Sequence, residues 1–259
     1  MKKGRSKYII IIVILLVYLL GMYLLFGMDE VKKNKVATTL LVGNSSVWNY
    51  SGRKWSNVTN NQMLSTLDWQ KFMVYINSEK LGKYYLWNDD KWYVFDDDKK
   101  AVTYSGLFFA YKAEFDIPVL KYDIKQITDF TYVNEVLSKY NLISTVNYTV
   151  SSLYSFDFDQ DGINEDFYVI SNVFSDANVD KYFSFVFMVK NEKIYMLYED
   201  IDKNDGVNGC KPYINVVADV DNDKKNEIVL TCARYSNQLP IDMLYKFEED
   251  AFKIVISNQ

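Results

Sequence analysis

Histidine is absent from all 259 residues. Without it there is no Ser-His-Asp triad, no Cys-His pair and no His-ligated zinc or iron centre. Histidine-free enzymes exist, carboxylate-pair glycosidases among them, so catalysis is narrowed to acids rather than excluded. Cysteine is nearly absent too. Cys210 and Cys232 are the two, and no CxxC occurs, which leaves zinc and dithiol redox motifs unsupported. Three prolines and ten glycines are too few for a low-complexity or disordered chain. Positive charge is scarce outside the first seven residues. Lys2, Lys3, Arg5 and Lys7 take four of the 29 cations, so 25 face 34 acids in the rest of the chain, a net of −9. An acidic body has no electrostatic footprint for nucleic acid, and no nucleic-acid partner is expected.

What is abundant points to strands. The chain is 49% apolar and 17% aromatic, with 22 Tyr and 16 Phe, a composition that builds a core and favours β structure. The one long apolar run comes first. Tyr8 to Met28 gives 21 uncharged residues behind four cations. At ~1.5 Å per residue a helix of that length spans roughly 31 Å, about one hydrocarbon core. The run exceeds the apolar region of a cleaved leader, and Gly21-Met22-Tyr23 is a poor cleavage site. No cysteine follows for a lipid anchor. The expectation is a cytoplasmic tail over residues 1–7, a transmembrane signal anchor over 8–28 and a polar stalk over 29–37. The positive-inside rule then puts the rest outside the cytoplasm, on a single-pass protein of the cell membrane.

Beyond the stalk, residues 38–145 read as a β-rich part. A strand is expected at 38–43, a hairpin at 47–58 turning at Ser51-Gly52, a strand at 71–77 and a hairpin at 83–95 turning at Asn88 to Asp90. Residues 101–113 continue the alternation with a glycine interruption. One short helix is expected near 130–141, with Phe130, Val133, Val136, Leu137 and Tyr140 on one face and Thr131 as its cap.

Residues 146–259 contain a repeat. Asp157, Asp159, Asp161, Asn164 and Glu165 recur 62 residues on as Asp219, Asp221, Asp223, Asn226 and Glu227, five identities in nine positions. Apolar strands flank each acidic run, and a hairpin follows, at 182–199 and at 241–257. Each unit therefore reads as four strands with the acidic loop between the first two. In "YFSFVFMV" both faces are apolar, as in a strand covered on both sides. In the last hairpin Ile241, Met243, Tyr245 and Phe247 alternate with Asp242, Lys246 and Glu248, as in a half-buried strand.

The acidic runs have the spacing of calcium loops. Calcium takes six to eight oxygens, many from carboxylates on a short flexible loop. Asp157, Asp159 and Asp161 stand at positions 1, 3 and 5, the Ile163 carbonyl at position 7 and Glu165 at position 9, with Gly162 permitting the turn at position 6. The corresponding set in the second loop is Asp219, Asp221, Asp223, Lys225 and Glu227. An EF-hand needs an acid at position 12, where Tyr168 stands, and helical flanks. Solvated turn aspartates are the competing reading, since Asp and Asn favour turns. This loop between strands resembles the calcium loops of integrin-type FG-GAP and VCBS repeats, whose DxDxDGxx(D/E) joins the first two strands of a β-propeller blade. The resemblance covers residues 147 to 257. It implies a mainly β, propeller-like or sandwich-like ectodomain with Ca²⁺ as a structural brace. The second loop departs from the family pattern at Lys224, which replaces glycine. Lys224 and Lys225 add positive charge that should weaken its metal binding.

Two further features have alternative readings. Cys210 and Cys232 flank the second loop and would form a disulfide or stay as buried thiols. Trp48, Trp55, Trp69, Trp87 and Trp92 would stack on a ligand or pack in hairpins. The expected function is an interaction module without catalysis that meets an envelope protein or a glycan. The alternatives are a hydrolase using acids such as Asp116, Asp123 and Glu135, or an accessory subunit of a membrane complex. A flat aromatic patch would favour the module, and a deep pocket of converging acids the enzyme.

Overall fold

The computed structural model describes residues 36–43, 46–59, 64–89, 91–142, 150–173, 182–202, 209–234 and 238–258. The expected tail, anchor and all but the last two residues of the stalk lie outside these. Among the described residues no helix is long and apolar enough to cross a membrane.

The fold is mainly β, and every strand pairing is antiparallel. Strands β1 (Val36–Val42), β2 (Ser46–Ser51), β3 (Lys54–Asn57), β4 (Gln70–Ile76), β5 (Glu79–Asn88), β6 (Trp92–Phe95), β7 (Ala101–Val102) and β8 (Phe108–Ala113) form one eight-stranded sheet in the order β3-β2-β1-β8-β4-β5-β6-β7. The first expected hairpin turns at Gly52-Arg53, both with positive φ, one residue later than the pattern suggested. Next come β9 (Asp123–Gln126), helix α1 (Thr131–Lys139), β10 (Val150–Phe156), β11 (Glu165–Ser171), β12 (Tyr182–Lys190) and β13 (Lys193–Asp202), whose strands form a sheet ordered β13-β12-β11-β10-β9. The last sheet is a meander, β14 (Cys210–Ala218), β15 (Glu227–Arg234), β16 (Ile241–Glu248) and β17 (Ala251–Ser257). Both expected four-strand repeats are present, with β9 added to the edge of the first. Among the described residues no sheet closes on itself. Residues 36–113 supply a single wide sheet instead of further four-stranded blades, because β8 pairs with both β1 and β4 and joins the hairpins on either side of it.

The sheets stack face to face. Phe167, Val186 and Met188 of the five-stranded sheet pack on Ile214, Val217, Ile228 and Met243 of the four-stranded sheet. The other face of the four-stranded sheet, with Val216, Val229 and Leu244, packs on Leu40, Val42, Trp48 and Phe109 of the eight-stranded sheet. A register shift between Ile214 and Val216 sends these near neighbours to opposite faces. Helix α1 covers the outer face of the five-stranded sheet, setting Val133, Val136 and Leu137 on Ile170, Phe183, Phe185 and Phe187. Strand β12 is thus covered on both sides, as its sequence indicated. Phe130 rather than Thr131 occupies the cap position and makes no side-chain cap bond. Asp129 supplies the missing acceptor, taking the Thr131 N–H at 2.9 Å and its hydroxyl at 2.7 Å.

Strand β16 departs from the half-buried reading. Asp242 and Leu244 are fully buried, because the eight-stranded sheet covers the face that the alternation assigned to solvent. The Ser46 hydroxyl donates to Asp242 Oδ2 at 2.5 Å and the Thr231 hydroxyl to Oδ1 at 2.7 Å. Asn258 Nδ2 donates to Ser46 Oγ at 2.7 Å and Asn215 Nδ2 to Thr231 Oγ1 at 3.0 Å. Each amide proton enters a hydroxyl oxygen, so each hydroxyl proton is free to go to the carboxylate, and both Asp242 oxygens are acceptors. Burial raises the Asp242 carboxyl pKa, and the Ser46 and Thr231 hydroxyls oppose that shift. Gly43 passes close by. A Cβ there would meet Asp242 Oδ2 at 3.3 Å, on a backbone with φ +55°.

Asp242→Ala strands two buried hydroxyls, each costing about 1–3 kcal/mol. The expected result is a loss of roughly 2–4 kcal/mol of folding stability, read from the urea midpoint at unchanged m-value.

Candidate metal centre: two matched acidic loops

Each acidic loop is folded by its own carboxylates. In the first, Asp157 accepts the Asp161 and Gly162 N–H groups, both at 3.0 Å. Asp161 accepts the Ile163 N–H at 2.8 Å, and Glu165 reaches back to the Phe158 N–H at 2.9 Å. In the second, Asp219 accepts the Asp223 and Lys224 N–H groups at 3.0 and 2.9 Å. Asp223 accepts the Lys225 N–H at 2.9 Å, and Glu227 the Val220 N–H at 3.0 Å. All four bonds recur at the 62-residue offset, and so does the backbone. Gln160 and Gly162 have φ of 63° and 88°, Asn222 and Lys224 of 61° and 71°. Lys224 therefore adopts the left-handed conformation that Gly162 adopts without strain. The loops also touch, since Asn226 Nδ2 of the second donates to the Phe158 carbonyl of the first at 2.5 Å.

The carboxylates converge as two sets, Asp157 with Asp159 and Glu165, and Asp219 with Asp221 and Glu227. In each set the ligand oxygens lie within 4.8 Å of one another. Asp161 and Asp223 stand just outside the sets. For Ile163 and Lys225 the structure shows bonded N–H groups, and both side chains are exposed. Both clusters have the chemistry to hold a metal ion, and the second is the more enclosed. The Asp221 side chain is 9% exposed, against 42% for its counterpart Asp159. Asp221 Oδ1 and Glu227 Oε1 are buried and lack a hydrogen-bond partner among the described residues. Unpaired buried carboxylate oxygens are costly, and a bound cation satisfies them. The departures that marked the second loop as weaker, Lys224 and Lys225, have exposed side chains.

Burial, then the Asp221 charge, raise the Glu227 carboxyl from its ordinary 4.5 to about 8. Burial likewise raises Asp221, against the pull of Lys246.

Two site residues escaped the sequence reading. Lys190 Nζ pairs with Asp159, with Glu165 Oε1 at 3.0 Å and with Asp161 Oδ2 at 3.5 Å. Lys246 Nζ pairs with Asp221 Oδ2 at 3.1 Å, Asp223 Oδ2 at 2.5 Å and Glu227 Oε1 at 3.4 Å. Both lysines lie on the third strand of their repeat, Lys246 directly opposite Glu227. They follow their loops at unequal distances, 33 residues from Asp157 and 27 from Asp219. A fixed-offset comparison cannot align them, whereas strand register can.

The remaining candidates separate. Cys210 and Cys232 are joined as a disulfide, with Cα atoms 5.4 Å apart, across a diagonal of β14 and β15. Trp48 and Trp92 are core residues, and Trp69 is exposed. Asp116 accepts the Tyr111 hydroxyl at 2.6 Å, and Glu135 is exposed on α1. Asp123 shares a cleft of about 440 Å³ with Asp157, but both Asp157 oxygens hold backbone N–H groups. No family model, no curated protein and no solved structure matches this chain.

Lys224→Gly is expected to stabilise the protein by roughly 0.5–1 kcal/mol, the relief of left-handed strain less the added freedom of the unfolded chain. Thermal melts of wild type and variant check it. The pH response follows from Glu227. Metal-free folded protein keeps a proton that the unfolded chain has released, so this group's stabilisation is full below about 4.5 and drains as pH rises through about 8. Glu227→Gln is expected to flatten that slope between pH 5 and 8, measured as the change in urea midpoint in the presence of chelator.

Proposed function

We propose that this chain is a membrane-anchored, extracytoplasmic interaction module of FG-GAP/VCBS-like β repeats. Its acidic loops take Ca²⁺ as a structural brace, and an aromatic plate on the eight-stranded sheet meets a glycan or protein partner. The anchor is residues 8–28. The Cys210–Cys232 pair fits an oxidising compartment, where disulfides persist.

The observation that carries the binding role is the plate. Tyr85 and Trp87 of β5 stand opposite Phe95 and Tyr93 of β6. Their ring faces lie on the side away from buried Leu86, Trp92 and Val94. The Trp87 and Tyr93 centroids are 5.6 Å apart, and Trp69 packs on Phe95 at 5.0 Å. Lys71, Lys91 and Lys99 lie over Tyr85, Tyr93 and Trp69 at 4.8, 5.3 and 5.7 Å. Half-buried rings on a rigid sheet offer large contact area at small entropic cost, and the ammonium groups at their faces supply hydrogen-bond donors. Aromatic residues in such settings dominate interface energetics. Calcium fits the donor set, since hard carboxylate oxygens suit it and the second loop holds two buried ones without a hydrogen bond among the described residues.

Two measurements test the proposal. Excess Ca²⁺ should raise the melting midpoint of the full chain in detergent, by ~2.7 kcal/mol of stabilisation at a hundred-fold excess over Kd. Asp221→Ala should abolish most of the rise. On an array of envelope polysaccharides, Trp69→Ala with Trp87→Ala should weaken binding roughly tenfold or more at an unchanged melt. Equal binding by wild type and double variant would remove the plate from the function.

A further inference from the structure

The same three positions of both loops face one ammonium group. Lys190 touches the carboxylates at positions 3, 5 and 9 of the first loop, Asp159, Asp161 and Glu165. Lys246 touches positions 3, 5 and 9 of the second, Asp221, Asp223 and Glu227. Positions 3 and 9 belong to the sets whose oxygens converge. The position 1 aspartates, Asp157 and Asp219, are already committed to backbone N–H groups in both. The lysine thus holds two of the three carboxylates that converge in each loop, and it does so twice, from the third strand of each repeat.

We infer that Lys190 and Lys246 are resident counter-ions of the two loops, and that a divalent metal enters only by displacing them. This rests on the metal reading proposed above.

An ammonium has one charge and three N–H donors. Each loop presents four carboxylates, and calcium asks for six to eight oxygens at about 2.3–2.6 Å. The lysine therefore reduces carboxylate repulsion enough to hold the metal-free loop in shape. It does not satisfy the loop fully. In the second loop Asp221 Oδ1, on a side chain only 9% exposed, is left with no partner, and Glu227 Oε1 has the ammonium at 3.4 Å without a hydrogen bond. These oxygens are what a metal gains on arrival. Two cations cannot share the same oxygens, because they would sit within a few ångströms of each other in a partly buried site, where like charges repel strongly. Lys190 and Lys246 side chains are 21% and 13% exposed, so each has an open side toward which a flexible stem can swing. The lysine then sets the affinity. It lowers it by the free energy of breaking its own ion pairs, and it removes the need for metal while the chain folds.

The test uses the full chain in detergent with Lys246→Met, which keeps the stem and deletes the charge, Lys246→Arg, which keeps the charge, and Lys190→Met in the more exposed loop. Ca²⁺ binding is read by calorimetry and stability by melting in chelator. Lys246→Met should tighten Ca²⁺ binding by roughly tenfold or more, within the range of ordinary site coupling, and should melt lower than wild type in chelator. Lys246→Arg should stay near wild type in both. Should Lys246→Met prove too unstable without metal, Lys190→Met carries the same two expectations at the first loop. Binding by Lys246→Met alone, with none by wild type, supports the inference most directly. Wild-type binding with unchanged or weaker affinity in both Met variants overturns it and leaves the metal reading standing. No binding by any variant overturns both.

Discussion

Two sheets press on the four-stranded sheet, one on each face, and the rest of the molecule is arranged by that double burial. Its strands must bring apolar side chains to both sides, which they do with Ile214, Val217 and Ile228 on one face and Val216, Val229 and Leu244 on the other. Any polar group on those faces must find a partner inside the protein, because water is excluded. Asp242 is the clearest case. It sits at the seam between sheets that are almost 200 residues apart in sequence and draws hydroxyls from both. Such a cluster penalises any packing of the two sheets that leaves it unpaired. The seam is held in register by polar groups as well as by fit.

The same logic governs the edge of the stack where the acidic loops lie. A loop with four carboxylates is unstable alone. Backbone N–H groups satisfy some oxygens, a lysine from the neighbouring strand satisfies others, and in the second loop two buried ones have no hydrogen bond among the described residues. The order matters. The position 1 aspartate shapes the turn, so it is a structural residue before it is a ligand. The position 9 glutamate closes the turn with one oxygen and faces the lysine with the other. Packing of the two repeats then ties the loops to each other through Asn226.

Much of this was legible from residue spacing. Period-two alternation located the hairpins, the even apolarity of β12 indicated burial on both faces, and the helix face of Val133, Val136 and Leu137 was correct. The repeat found the two loops because it depends on local backbone geometry, and local geometry is written in consecutive residues. Three features were not legible. The eight-stranded sheet depends on β8 pairing with both β1 and β4, a choice made by contacts distant in the chain. The burial of Asp242 contradicts its own strand pattern, because alternation reports one neighbour sheet and cannot see a second. Lys190 and Lys246 reach their loops across a strand pair, at sequence distances that differ with the length of the intervening connection.

Strand content, the two four-stranded units, the composition of each acidic loop and the left-handed position where Lys224 stands in for a glycine are written in consecutive residues. These follow from side-chain period and turn chemistry, which act over a few residues. Which sheet lies in the middle, which loop is the more enclosed and which lysine faces each loop are not written in neighbouring residues. Those depend on desolvation and on charges brought together from distant strands, and both come into being only when the sheets stack.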